Sequence, residues 1–343
     1  MIFMQEILSA FLGSNNELDT IPFGNGLIHS TYKVQNNGKS LYILQKLNTS
    51  VFKNPLDIAD NLDHLSAFLV SRQQEVFFPM PMHTLKGEPY ALQQGEYYRL
   101  TPFVPNSRSF DSCNSPDEAY EAALQFGRFT SSFEGFDIRL LKPSIPGFHD
   151  LSFRWKQFNE SLSNGIPERI QLAGNEIKLV MDNSHIVDRF NAVLQDRAYQ
   201  LRVTHHDTKI NNVLFNEDKK GICPIDLDTV MPGYFISDLG DMFRTYLSPG
   251  SEEETDLEKI FARKDFKDAI IEGYLSKMAD QLTSKEKELI PYAGEFMIFM
   301  QAIRFLADFL NGDVYYGIRY EMNNFDRTKN QLHLLKSYQR LFR

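Results

Sequence analysis

The stretch Thr204-His205-His206-Asp207-Thr208-Lys209-Ile210-Asn211-Asn212-Val213-Leu214-Phe215, followed downstream by Ile225-Asp226-Leu227-Asp228, decides how this chain is read. Leu201-Arg202-Val203-Thr204 has the composition of a short strand running into a loop. Asn212-Val213-Leu214-Phe215 is β-prone, Glu217-Asp218-Lys219-Lys220-Gly221 is a polar turn with a glycine exit, and Ile222-Cys223-Pro224-Ile225 begins a return strand. A hairpin of this kind brings Asn212 and Asp226 side by side at one end. Two hard oxygen ligands together suit magnesium, which fills its other positions with waters and phosphate oxygens.

Phosphoryl transfer asks for few side chains. One Asp orients and deprotonates a hydroxyl, while an Asn and a second Asp hold magnesium against nucleotide phosphates. In H-x-D-x-x-x-x-N followed by a further Asp, the first Asp and the Asn fall at Asp207 and Asn212, and the second Asp at Asp226. Lys209 could neutralise charge developing on the γ-phosphate. A capped loop with solvated carboxylates is the competing reading, since Asp, Asn and Ser are common in turns. Base, lysine, Asn and second Asp in order on one hairpin favour the chemical reading.

Taken with Ile225-Asp226-Leu227-Asp228-Thr229-Val230-Met231-Pro232-Gly233, the segment resembles the aminoglycoside phosphotransferase/choline kinase superfamily. Within it the chain is most similar to the N-acetylhexosamine 1-kinases. The likeness extends over Phe23-Gly24-Asn25-Gly26-Leu27-Ile28-His29-Ser30-Thr31-Tyr32, Tyr42–Asn48, Ile145–Asp150, Ser237-Asp238-Leu239-Gly240-Asp241, Gly312–Tyr316 and Asn324–Leu332, which is nearly the whole chain. The resemblance implies an α+β, protein-kinase-like bilobal fold. It implies ATP and Mg2+ as cofactors and the anomeric hydroxyl of an N-acetylhexosamine as acceptor. Such a hydroxyl is more acidic than an ordinary alcohol, so a carboxylate base suffices.

Residues 1–104 read as a small mixed nucleotide-binding lobe and 105–343 as a mainly helical catalytic and acceptor-binding lobe. Asn37-Gly38 is a hairpin signal between strand-like Ser30–Val34 and Leu41–Leu47. Ile58, Leu62, Leu65 and Leu69 repeat at helical spacing. Tyr97–Val104 reads as a strand leading to a hinge at Pro105-Asn106-Ser107, and Pro116–Phe133 and Pro291–Asn311 read as helices opening on a proline.

Gly24, Gly26, Ser30 and Thr31 could cradle phosphates, although Gly-Asn-Gly is first of all a turn. A kinase wants a cation on its third strand. Lys46 is the candidate, with a solvated edge lysine as the alternative, because a one-residue slip in register exchanges Gln45 and Lys46 between the two faces. The resemblance places the adenine against the backbone of Phe103 and Val104. On the acceptor side, Asp228 could reach a second metal or the sugar, or act behind the ligands, if the strand continues past Asp226. His149 and Arg244 could touch the acceptor; loop packing and a helix salt bridge are the alternatives. Asp207 occupies the base position. His206, where the superfamily commonly has a small residue, could touch the acceptor or a neighbouring carboxylate, and Asp238 and Asp241 could support the loop or bind hydroxyls.

At 343 residues with 42% hydrophobic content and 28 Phe, there is ample material for two packed lobes. The net charge of −9 argues against nucleic acid as a main partner and is also compatible with a cationic substrate. With only Cys113 and Cys223, no disulfide framework is expected, which suggests a reducing compartment. No apolar run is long enough to span a membrane. Met1–Leu8 lacks a basic n-region and reads as an amphipathic first helix, so a cytoplasmic protein is expected; a small-molecule sugar as its partner is what the resemblance implies. Leu227-Asp228 in place of Phe-Gly, and no room for an activation loop before Ser237, argue against a protein kinase. Choline, homoserine and aminoglycoside acceptors, and a catalytically silent nucleotide-binding protein on the same fold, remain as rivals.

Overall fold

The structure is a computed structural model that describes residues 2–14, 18–24 and 28–342. The first lobe opens with helix α1 (Ile2–Leu12) and a five-stranded antiparallel sheet. Its strands are β1 (Asp19–Pro22), β2 (Ser30–Asn36), β3 (Lys39–Lys46), β4 (Ala91–Gln93) and β5 (Glu96–Pro102), in the order β1-β2-β3-β5-β4. Helix α2 (Pro55–Ser71) lies between β3 and β4. The Asn37-Gly38 turn forms as expected, with both residues at positive φ (49° and 78°), the geometry that matches the twist of a two-residue hairpin.

The sheet has two different faces. Val34, Leu44, Tyr98 and Leu100 point to one side and bury against Ile7, Leu8 and Phe11 of α1. By alternation Thr31, Gln45 and Arg99 point to the other, towards the second lobe. Helix α2 packs its apolar stripe with Phe129, Phe133, Val203, Cys223 and Val230, which belong to the second lobe. Asn61 fixes that contact by donating to Lys142 O (2.8 Å) and Val230 O (3.1 Å).

After β5 the chain is mainly helical, as expected. It contains α3 (Pro116–Ser132), α4 (Leu151–Asn164), α5 (Pro167–Leu172), α6 (Gly174–Asp182) and α7 (His185–Gln195), then the short strands β6 (Arg202–Thr204), β7 (Val213–Phe215), β8 (Gly221–Pro224) and β9 (Met231–Gly233). Helices α8 (Phe235–Tyr246), α9 (Lys264–Met278), α10 (Ser284–Lys287), α11 (Ile290–Leu310) and α12 (Asn323–Leu341) complete it. Helix α11 is apolar nearly all round and forms the lobe's axis, with α4, α8 and α12 packed against it. Gly240 lets α8 approach closely, since a Cβ there would lie 2.3 Å from Ala293 O. The segment after β5 is tied to the β7–β8 hairpin by a reciprocal bridge, Arg108 N to Phe215 O (2.9 Å) and Phe215 N to Arg108 O (2.8 Å). No helix among the described residues is long and apolar enough to cross a membrane.

Candidate active site

Helix α8 shapes the loop that follows β6. Asp238 accepts from the backbone N–H of His205 (3.0 Å) and of His206 (2.7 Å), and Asp241 accepts from Thr208 N (2.9 Å). The Thr208 hydroxyl donates to Asp238 O (2.8 Å), and Tyr246 donates its hydroxyl to Thr208 O. These contacts hold His206 in the left-handed region at φ 67°, which an ordinary side chain adopts only when its surroundings fix it. His205 is fully buried, and its Nδ1 receives Asp207 N (3.3 Å), so its Nε2 carries the proton donated to Ile225 O (2.9 Å). Asp238 and Asp241 therefore lie behind the loop as its supports.

The loop presents Asp207 to the cleft. Asn212 donates its amide to Asp207 Oδ2 (3.1 Å) and Asp207 O (2.9 Å), and Lys209 Nζ lies 3.3 Å from Asp207 Oδ1. Burial opposes the charge on Asp207, but Lys209 and the other nearby cations outweigh it and hold its pKa below the usual carboxylate value. Asp207 is thus ionised at neutral pH and able to accept a proton. With both amide hydrogens turned to Asp207, the Asn212 Oδ1 accepts from no described residue.

The expected hairpin of β7 and β8 forms, and Ile225 N donates to Asn212 O (2.9 Å) at its open end, bringing Asp226 beside Asn212. The strand does not continue. Asp226 is left-handed (φ 60°, ψ 60°) and Leu227–Thr229 form a 3-10 turn, so Asp226 and Asp228 share no strand face. The Asp226 carboxylate is exposed and makes no hydrogen bond or ion pair to a described residue. The low-dielectric walls of the cleft, then the charges of Asp228 and Asp207, push its pKa up to about 6. This crowding of carboxylates around a bare one fits a divalent cation. Among the described residues no cluster of three or more His, Cys, Asp or Glu is placed to hold a metal. An ion at Asn212 and Asp226 would therefore take most of its ligands from phosphate and water, as magnesium does.

Asp228 turns into the first lobe and is bound twice there. His29 Nε2 lies 2.6 Å from its Oδ2, and Arg99 grips both oxygens, with Nη2 at 2.9 Å. Arg99 also donates Nε to Gln45 Oε1 (2.9 Å). Lys46 does not join this group. It lies on the opposite strand face and pairs with Glu96 at 2.8 Å, both side chains more than a third exposed. The cation facing the second lobe is Arg99, and the β3 residue beside it is Gln45. Sequence reasoning gave no role to Arg99 or to His29.

Ser30 is exposed at the start of β2, and the Thr31 hydroxyl receives Gln45 Nε2 (3.4 Å). Gly24 has φ +77° and open space where a side chain would stand. Gly26 lies outside the described residues. Just after β5, Phe103 N is taken by Leu41 O (2.9 Å), whereas Val104 N–H meets no described partner.

On the remaining side of Asp207, His149 and His206 converge on Ser237. His206 Nδ1 is 2.8 Å from the Ser237 hydroxyl, His149 Nδ1 also contacts it, and the two nitrogens are 3.3 Å apart. Burial pushes His206 down to about 4 and His149 well below its usual value, so both rings are neutral at pH 7. Arg244 pairs with Asp241 (3.0 Å) and Glu252 (2.9 Å). Two further arginines escaped the sequence reading. Arg154, 9% exposed, reaches Gln157 and Phe148 O and leaves Nε without a partner. Arg304 lies over the rings of Phe148 (5.5 Å) and Tyr316 (5.4 Å). Neither forms an ion pair with a described carboxylate. Burial, and then Arg304, lower the Arg154 pKa to about 10. Phe148 stacks on His149 at 4.3 Å, joining this cationic patch to the loop. Asp308 accepts the N–H of Tyr315 and of Tyr316 (2.8 Å each) and so fixes their turn beside Arg304.

The chain belongs to the phosphotransferase enzyme family, whose model matches residues 19–270. Solved structures share the fold across nearly its whole length. An aminoglycoside phosphotransferase from Alicyclobacillus acidocaldarius is 12% identical with TM-score 0.62, covering 98% of this chain and 95% of its own. A microcompartment-associated aminopropanol kinase is 16% identical with TM-score 0.64, covering 99% and 97%. A choline kinase from Cryptosporidium parvum is 14% identical with TM-score 0.59, covering 97% and 94%.

Proposed function

We propose that this member of the phosphotransferase enzyme family is an ATP- and magnesium-dependent kinase of a sugar hydroxyl, with the anomeric hydroxyl of an N-acetylhexosamine as acceptor and a sugar 1-phosphate as product. The observation that carries the reading is the ionised Asp207, held by Asn212 and Lys209, beside the unpartnered Asp226. The acceptor oxygen attacks the γ-phosphorus while Asp207 takes its proton, the bond to the β–γ bridging oxygen breaks, and ADP leaves. Lys209 faces the charge that grows on the transferred group. Asn212 and Asp226 would hold magnesium, which supplies charge neutralisation at the phosphates. Gly24, Gly26, Ser30 and Thr31 would cover the phosphates, and the free Val104 N–H would meet the adenine.

Charge on the acceptor side supports a neutral sugar. Aminopropanol, choline and aminoglycosides are cationic, and a site for them needs free carboxylates or an aromatic cage. Here Asp241 and Glu252 are bound by Arg244, and Glu253 by Arg327 (Nε, 2.7 Å). Arg154 and Arg304, beside His149 and Tyr316, form no ion pair; Asp150 forms none either, and its charge acts on Arg154. Guanidinium donors match sugar hydroxyls and an N-acetyl carbonyl, and they repel an ammonium. The partner is then a small-molecule sugar, without nucleic acid or membrane. Two free, buried cysteines agree with a cytoplasmic setting.

The test is ADP release with ATP and magnesium against N-acetylglucosamine, N-acetylgalactosamine, glucose, galactose, choline, homoserine and kanamycin, with Asp207→Asn as control. An acid-labile, alkali-stable phosphate from the N-acetylhexosamines alone supports the reading. Turnover only with an amine acceptor sinks the substrate. ATP binding without turnover on any acceptor makes the chain a silent nucleotide-binding protein.

A further inference from the structure

Asp228 lies two residues from the metal-ligand candidate Asp226, yet its partners lie 199 and 129 residues away in sequence, at His29 and Arg99. All three side chains are buried, with Asp228 1% and Arg99 4% exposed. Each of the three guanidinium nitrogens has a partner. Both terminal nitrogens go to the carboxylate, and Nε goes to Gln45 (2.9 Å), which reaches on to Thr31 (3.4 Å) at the base of the phosphate loop. His29 is equally constrained. Its Nδ1 accepts Asn48 N (3.0 Å), so its Nε2 carries the proton given to Asp228 at 2.6 Å. Its ring packs 5.4 Å from that of Phe52.

Asp226 stands between two anchors. Upstream, Ile225 is held through both backbone groups, by Asn212 O (2.9 Å) and His205 Nε2 (2.9 Å). Downstream, Asp228 is held by Arg99 and His29, and the Thr229 hydroxyl donates to His205 O (2.7 Å). The residue between is left-handed without being glycine, a conformation that persists only when its surroundings over-determine it. The partners of Asp228 belong to the first lobe, and His29 directly precedes Ser30 and Thr31 of the phosphate loop.

We propose that Arg99 and His29, acting through Asp228, are positioning residues that hold the Asp226 carboxylate in its metal-binding attitude and couple it to the phosphate loop. This rests on the nucleotide-dependent function proposed above. Arg99 thereby takes the place that a third-strand lysine would be expected to fill, and its counter-ion comes from the metal turn. Helix α2 provides no such partner. Its Asp57 and Asp60 pair with Lys142 (3.0 and 2.7 Å), and Asp63 with His83 (3.2 Å).

The experiment measures MgADP and metal-free ADP binding by calorimetry, and the magnesium concentration giving half-maximal nucleotide binding, in the full chain and in His29→Asn, Arg99→Lys and Lys46→Met. Melting temperatures without ligand report folding separately. His29→Asn keeps the Arg99 pair and is the variant least prone to misfold. The expected result is a rise of about tenfold in the half-saturating magnesium concentration for His29→Asn and Arg99→Lys, the usual effect of removing a group that orients a metal ligand. Metal-free ADP affinity should change less, and Lys46→Met should match the unmutated chain. Lower melting temperatures with unchanged magnesium dependence would overturn the inference and leave the pair purely structural. Failure of the unmutated chain to bind nucleotide at all would overturn the proposed function instead, and the inference with it.

Discussion

The two walls of the cleft treat their arginines in opposite ways. On the side of the first lobe Arg99 is buried against Asp228 and directs all three of its guanidinium nitrogens to named acceptors. On the acceptor side Arg154 and Arg304 have no counter-ion, and Arg154 Nε has no partner at all. A satisfied buried cation is part of the scaffold. An unsatisfied one beside a reactive loop is a donor waiting for a ligand. On the proposed function, the difference would separate the groups that hold the machinery from those that select the substrate.

The largest effect should come from the group both walls serve. Asp207→Asn is expected to lower kcat by on the order of 10²–10⁴-fold, the usual share of a general base, with MgADP affinity retained by calorimetry. The walls themselves should then divide. Arg99→Met strands a buried carboxylate and should destabilise by about 3–5 kcal/mol in urea unfolding. Arg304→Met removes a cation from a like-charged pair, so stability should hold or rise while the acceptor KM increases and the KM for ATP does not. Equal stability losses for the two would erase the contrast.

A smaller effect follows from Asp226. Its folded pKa, about 6, lies above the ordinary Asp value of 3.8, so the folded state binds its proton more tightly than the unfolded state does. The contribution of this group therefore favours folding below about pH 4 and is lost as pH rises through 6. Asp226→Asn should raise the melting temperature of the metal-free protein at pH 7 while weakening MgADP binding. In the unmutated chain that binding should fall as pH drops below 6. A melting temperature lowered by Asp226→Asn would contradict the crowding of carboxylates. The smallest effect belongs to Lys46→Met, whose exposed partner Glu96 should leave both melting temperature and kinetics unchanged.

The same division decided what the sequence could show. The hairpin, its polar turn and the Asp207–Asn212 spacing are local, and each formed as its residues required. Helices such as α3 and α11 carried their own proline starts and apolar repeats. Arg99 and His29 were invisible because their partner is distant along the chain and is brought to them only by the closing of one lobe on the other. Lys46 and Gln45 could not be told apart, since alternation fixes two faces without saying which meets the cleft. Asp228 was misplaced because nothing in Ile-Asp-Leu-Asp announces a left-handed, non-glycine residue that ends the strand. Arg154 and Arg304 sit in helical stretches where an arginine ordinarily reads as a solvated face.

The most direct test of the account compares ADP formation with N-acetylglucosamine and with glucosamine at a pH where the amine is charged. The unpaired arginines predict that kcat/KM for the acetylated, neutral sugar exceeds that for the amine by about a hundredfold or more, because like charges brought together cost several kcal/mol. Equal use of the two, or preference for the amine, would contradict it.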